Sequence, residues 1–177
     1  FSLTGSLLTE DEKNEQILAF VNRVFLIGYL LHRYKDPTKP WAGFVMDYRI
    51  SEESASNGRA GKGLLAMGLK MMLDSYRIDA RDPKLFDNTF IFGGVNKGNE
   101  LIHLEDWDEY LDFERLFNYL TGALYSNAKG MQPVNLDNQD FGKFLIDTNF
   151  SDRYTSGSAK GRKLHTVFAD FYHEDLE

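Results

Sequence analysis

Apolar positions in residues 9–34 recur three and four apart. Ile17, Phe20, Val21, Val24, Phe25, Tyr29 and Leu30 share one side of a 3.6-residue period, which predicts a helix with a buried face. Thr9 and Glu12 stand at capping-box spacing at its start, and Asp36-Pro37 and Lys39-Pro40 end it. The pattern then shortens to strand length in "AGFVMDY" (42–48), followed by the polar loop "RISEESASNGRAG" (49–61). Helical spacing returns in "KGLLAMGLKMMLDSY" (62–76), where Leu65, Leu69, Met72 and Leu73 share a face. "TFIFGG" (89–94) and "ELIHLED" (100–106) read as strands, and "DFERLFNYLTG" (112–122) as a helix with Gly122 at its C-cap. "ALYSNAKGMQPVNL" (123–136) reads as a hairpin with Asn127–Gly130 near its tip and Pro133 suited to an edge. "KFLIDTN" (143–149) is a further strand, "SDRYTSGSAKGRK" (151–163) a basic loop, and "LHTVFADFY" (164–172) a last strand or helix. Strands alternating with helices over 42–149 predict an α/β fold with a largely parallel sheet. The expected division is a helical segment over 1–40 and a core over 41–177.

Composition narrows the function classes. The 177 residues are 42% hydrophobic and 14% aromatic, enough for a packed core. The absence of cysteine removes disulfides and thiolate metal sites and suits a reducing, cytoplasmic setting. Four histidines, none in an HExxH arrangement, give no histidine-based metal motif. A net charge of −7 excludes a wholly basic nucleic-acid binder, so any such contact must be local. No apolar run reaches the ~20 residues needed to span a bilayer, and no signal peptide is evident. The chain opens at Phe1 without Met, so both a complete protein and a piece of a longer one are open readings.

Three short segments carry candidate chemistry. "SNGRAGKGLL" (56–65) has the glycines, helix start and lysine of a phosphate-gripping loop. Successive amides and the helix dipole would face the anion, and Lys62 would reach its β- and γ-phosphates. Gly63, however, stands where a Mg²⁺-holding hydroxyl is usual, and Ser56 where the first glycine would be. On this loop alone, a phosphate loop and an ordinary glycine turn are equally good readings. "LIHLED" puts Glu105 and Asp106 at the carboxyl end of an apolar strand, where ligands bind in open α/β sheets. Such acids can hold Mg²⁺ through water and take a proton from an attacking water. "KFLIDTNF" puts Asn149 at another strand end, where its amide can orient a water.

The order of these segments, "NGRAGKGLL", "LIHLED", "LTGALYSNAKG" and "KFLIDTNF", resembles motifs A, B, B-prime and C of superfamily 3 helicase motor domains. The primase–helicase branch of phages, plasmids and large DNA viruses is the nearest in flavour, and the likeness runs over roughly residues 25–172. The resemblance implies an AAA+-like P-loop ATPase, preceded here by a short helical segment, that hydrolyses ATP with Mg²⁺. It implies a homo-hexameric ring on single-stranded DNA, with no membrane partner. Asn57, Gly58, Arg59, Ala60, Gly61, Lys62, Gly63 and Leu64 would contact the nucleotide. Glu105 and Asp106 would be the metal and base pair, with Asp106 at the base position, and Asn149 the polar sensor. Asn127 and Lys129 would face DNA in the ring pore. Arg162 would be the finger reaching a neighbouring subunit's nucleotide, with Arg153 as competitor. Two departures from the family's pattern are Gly63 and the Glu-Asp order of the acids, since the base position more often holds Glu. Two other functions fit the same residues less fully: a nucleotide-binding scaffold with weakened catalysis, and a small P-loop phosphotransferase.

Overall fold

The computed structural model describes residues 9–47, 61–150 and 161–168. Five strands form one sheet: β1 (Ala42–Asp47), β2 (Ser75–Asp79), β3 (Leu101–Glu105), β6 (Lys143–Thr148) and β7 (Lys163–Phe168). Their order is β2-β3-β6-β1-β7 and every pairing is parallel. Two short strands, β4 (Leu124–Ser126) and β5 (Val134–Leu136), pair antiparallel as the expected hairpin. The α/β class with a mostly parallel central sheet is therefore present, and Lys163–Phe168 is a strand.

Alternation along the strands divides the core in two. Phe44, Ile102, Leu104, Phe144 and Ile146 join one cluster with Trp107, Phe113, Leu116 and Leu124 from the connections. Val45, Leu101 and Leu145 face the other way, against Leu26 and Leu30 of α1 (Glu10–Leu30) and Ala66 and Leu69 of α2 (Lys62–Met72).

Helix α1 begins at the expected capping box: the Glu12 amide donates to Thr9 Oγ1 (3.3 Å), and the Thr9 amide to Glu12 Oε2 (2.8 Å). Its expected buried face is only partly buried. Leu26 and Leu30 are covered, whereas Ile17, Phe20, Val21, Val24 and Phe25 are exposed. Length accounts for part of this. Twenty-one helical residues rise about 32 Å, while a six-residue strand spans only about 20 Å. The excess of about 12 Å, about eight residues, covers the turns up to Ile17 and leaves the exposure of Phe20, Val21, Val24 and Phe25 without this explanation.

Two further expectations need correction. The helix predicted over 62–76 stops at Met72, because Leu73 is extended (φ −122°, ψ 142°) and leads into β2. "TFIFGG" is not a strand. Linked i→i+3 turns run through it, from Ile91 N–Asn88 O (3.3 Å) to Val95 N–Phe92 O (3.0 Å), and drop Ile91, Phe92 and Val95 into the core. A Cβ on Gly94 would lie 2.5 Å from the Tyr76 ring, and one on Gly93 the same distance from the Asn127 carbonyl. The glycines serve close packing there. The segment over 112–122 opens as a 3₁₀ turn (Phe113–Leu116), capped by Asp112, before α3 (Phe117–Thr121) closes at Gly122.

At the starting edge of the sheet, Lys143 is buried at the head of β6. Its ammonium donates to the Tyr29 carbonyl in the last turn of α1 and lies 3.8 Å from the Tyr29 ring centre. That helix has no basic residue of its own in its last turn, so Lys143 supplies the cation that the C-terminal carbonyls favour. Nearby, Lys35 donates to the Asn138 carbonyl (2.5 Å) and lies 3.7 Å over Phe141.

Candidate nucleotide site at the strand ends

Strand register sets the geometry of the opposite edge. Met46 pairs with Thr148, which brings Asp47 and Asn149 level at the ends of β1 and β6. Leu104 pairs with Ile146, which brings Glu105 level with Asp147. By alternation Asp47, Asp147, Asn149 and His103 continue the side of Val45, Leu101 and Leu145, on which α2 lies.

Helix α2 opens at Gly61, whose φ of +91° favours glycine. Among the described residues no side chain caps this end, and its first turn holds no acid, so its amides and the dipole favour an anion. Lys62, at the first helical position, is buried. Its ammonium is paired with Asp47 Oδ2 and donates to Asn149 Oδ1 at 2.7 Å. Two predicted site residues, Lys62 and Asn149, are thus brought into contact by adjacent elements. Gly63 has open space where a side chain would stand, and Leu64 points outward, 71% exposed. Asn57, Gly58, Arg59, Ala60 and the competing Arg153 lie outside the described residues.

The two acids of β3 are engaged by arginines. Glu105 pairs with Arg77 of β2, and Asp106 Oδ2 lies 3.6 Å from Arg81 Nε. Asp106 has a φ of +54°, the one non-glycine in the left-handed region among the described residues, a conformation that persists only where surroundings enforce it. Here the enforcement comes from β6. Asp147 Oδ1 accepts the Asp106 amide (2.7 Å), the Asp147 carbonyl accepts the Trp107 amide (2.8 Å), and Thr148 Oγ1 donates to the Trp107 carbonyl (2.8 Å).

Asp147 Oδ2 also lies 2.7 Å from Nε2 of His103, which is fully buried. Burial alone would push the Asp147 carboxyl up. The bonds from His103 and the Asp106 amide, with the charges of His103 and Lys62, outweigh it and hold the carboxyl below its usual range. An ionised carboxylate only accepts, so Nε2 carries the shared proton. Asp47, Asp147, His103, Arg77 and Arg81 were not singled out by the motifs. Strand alternation through "FVMD", "LIH" and "LIDTN" was the available signal for the first three.

The remaining predicted residues lie apart from this cluster. Arg162 immediately precedes β7, and its carbonyl accepts the amide of Ala42, the first residue of β1. It is therefore at the starting edge, about 20 Å from the strand ends, with its guanidinium 4.8 Å over Phe117. Lys129 is exposed in the β4–β5 connection beside Gly130 (φ +80°), and Asn127 is half-buried at its base.

Among the described residues, no three His, Cys, Asp or Glu side chains converge as a metal cage. Carboxylates at two strand ends beside a buried lysine fit a cation shared with phosphate oxygens and water, the usual mode for Mg²⁺. No helix among the described residues is long and apolar enough to cross a membrane.

No family model and no curated protein matches the chain. Among solved structures it is similar to the A-form apo structure of the NrS-1 C-terminal region. The TM-score is 0.58 at 20% identity, over 94% of this chain and 37% of that one. A second structure of that region, spanning 305–718, aligns at a TM-score of 0.47 and 20% identity, over 87% of this chain and 33% of that one. The chain thus spans about a third of the solved chains it resembles. At this identity the first likeness speaks for the α/β fold alone.

Proposed function

We propose that residues 41–177 are an ATP-driven motor core of superfamily 3 type, which moves along single-stranded DNA in a phage- or mobile-element-type replication protein. Residues 1–40 form its preceding helical segment. The observation that carries this reading is the meeting of Lys62 with Asn149 (2.7 Å) at an uncapped helix start beside a parallel strand end. In the reading, Lys62 and the α2 amides bind the triphosphate, and Asn149 orients the attacking water. Glu105 and Asp106 exchange their arginine partners for water, and Asp106 takes the proton. Mg²⁺, when bound, neutralises charge on the transferring phosphoryl group.

Arg162 lies too far from the strand ends to serve its own chain's nucleotide. That suits a finger acting on a neighbour in a homo-hexamer. Lys129, exposed at the hairpin, contacts the DNA backbone.

A second reading, a nucleotide-binding scaffold with weakened catalysis, is favoured by Gly63 and by the arginines that already hold both acids. Steady-state ATP hydrolysis with and without single-stranded DNA separates the two. Turnover stimulated by DNA, and lost in both Lys62→Ala and Asn149→Ala, supports the motor. Saturable ATP binding without turnover in the assembled ring leaves only the scaffold.

A further inference from the structure

Asp47 closes β1 directly before the glycine loop, and the motifs gave it no role. Its carboxylate is buried, with 9% of the residue exposed. One oxygen, Oδ2, holds Lys62; the other, Oδ1, accepts no hydrogen bond among the described residues. A buried carboxylate oxygen without a donor is unfavourable and calls for a positive partner.

Lys62 is also the cation that a triphosphate needs, and one ammonium cannot fully serve two anions. If phosphate takes Lys62, Asp47 is left buried and unpaired beside that phosphate. The two anions then require a cation between them. Gly63, the residue after the lysine, has no side-chain oxygen to offer one, and no preformed three-ligand cage exists among the described residues. A nucleoside triphosphate arrives with its own divalent cation, which accepts one or two carboxylates together with phosphate oxygens and waters.

Resting on the nucleotide reading above, we propose that Asp47 is a ligand, directly or through one water, of the divalent cation that accompanies the triphosphate. It fills the place left by the hydroxyl missing at Gly63. The Asp47–Lys62 pair is then an exchangeable resting arrangement: phosphate replaces Asp47 on Lys62, and the metal replaces Lys62 on Asp47.

The test is equilibrium binding of the non-hydrolysable analogue AMP-PNP, by calorimetry, with Mg²⁺ or with EDTA. Wild type is expected to bind at least about tenfold more tightly with Mg²⁺. In Asp47→Asn the metal-free affinity should equal or exceed wild type, since a buried anion has gone, and the gain from Mg²⁺ should fall below about twofold. Adding Gly63→Ser, where a new Cβ meets no atom of the described residues within 4 Å, should restore the gain in the Asp47→Asn background. Electron paramagnetic resonance of Mn²⁺ with AMP-PNP gives a second readout, with more free Mn²⁺ expected in Asp47→Asn.

A full Mg²⁺ gain in Asp47→Asn overturns the proposal. So does an equal loss of affinity with and without metal. If Asp47→Asn does not fold, Asp47→Glu keeps the charge and moves the oxygens, and an unchanged preference between Mg²⁺ and Mn²⁺ overturns it. If wild type binds no AMP-PNP under either condition, the nucleotide reading itself falls and takes this inference with it.

Discussion

Both ends of the sheet bury lysines, and those at the two ends are held by different things. At the starting edge, Lys143 sits on the Tyr29 carbonyl and ring, and Lys35 on the Asn138 carbonyl and the Phe141 ring. Those partners are backbone carbonyls and aromatic rings, with the His32 ring 3.1 Å from the Lys143 ammonium, and no carboxylate is among them. At the finishing edge, Lys62 is held by the side chains of Asp47 and Asn149, and one Asp47 oxygen has no partner among the described residues. Asp106 is fixed there in a left-handed conformation by Asp147. The contrast teaches that burial of a lysine does not by itself mark function. Lys143 completes a helix end. Lys62 sits between two polar side chains, which the proposed function exchanges for a ligand's groups, beside a backbone held under strain.

Several variants would sharpen or break this contrast. Lys62→Ala should lower ATP affinity about 100-fold and cost about 3 kcal/mol of stability, since it strands the buried Asp47 carboxylate. Adding Asp47→Asn should recover the stability and not the affinity. Calorimetry and urea denaturation read the two effects separately. If affinity returns with stability, Lys62 acts only through the fold.

Asp147→Asn should cost about 2 kcal/mol, because His103 and the Asp106 amide lose a charged acceptor. It should also lower DNA-stimulated turnover more than ATP affinity, through the released Asp106. For Asp147 itself, a folded pKa below the unfolded value means its stabilisation is present above about pH 4 and lost as pH falls further. The acid unfolding limb should therefore flatten in Asp147→Asn.

At the other edge, Lys143→Met should change stability at pH 7 by no more than about 1.5 kcal/mol, because it removes a bond and a buried charge together. ATP affinity should not move. A separate pH signature follows from burial, which lowers Lys143 to about 8 and, with the charges of Lys143 and Arg33, Lys35 to about 7. Below those values both folded and unfolded chains are protonated, and the cost of burying charge is felt in full. Between them and the unfolded value near 10.4, the unfolded chain binds more protons. Stability then rises with pH, by up to about 1.4 kcal/mol per unit for each lysine. Burial raises Tyr29 to about 12, so above pH ~10 the unfolded chain releases a proton that the folded chain keeps, and stability falls again. Thermal melts from pH 6 to 11 should show this maximum, and it should shrink in Lys35→Met and Lys143→Met.

The smallest structural effect belongs to Lys129→Glu. Stability should change by less than ~0.5 kcal/mol at this exposed position, while affinity for single-stranded DNA falls several-fold at low salt. Unchanged DNA affinity removes the hairpin from the DNA path.

Much of the fold was legible because its strands are apolar runs of strand length and α1 begins at a local capping box. Lys62 and Asn149 were each singled out by their own motif, but their contact with one another depends on tertiary packing and was not legible. Other parts were not either. The strand "SYRID" follows the α2 pattern without a breaking residue, so β2 was hidden, and with it Arg77 and its ion pair to Glu105. "TFIFGG" looked like a strand because turn residues that fill a core are as apolar as strand residues. Asp47 and His103 were overlooked because each continues an apolar run by a single polar residue, whose facing is set only by register with β6. The apolar face of α1 was visible in the period of the sequence. Periodicity does not say how far a helix extends past its sheet.

The most direct test of the contrast is side-chain NMR of the lysine Nζ groups in the 20.4 kDa chain, titrated with Mg²⁺ and AMP-PNP. The expected result is a large shift of the Lys62 signal, as it leaves Asp47 for phosphate, with Lys143 and Lys35 unmoved. A Lys62 signal that stays in place at saturating nucleotide, or a shift confined to Lys143 and Lys35, would contradict the account.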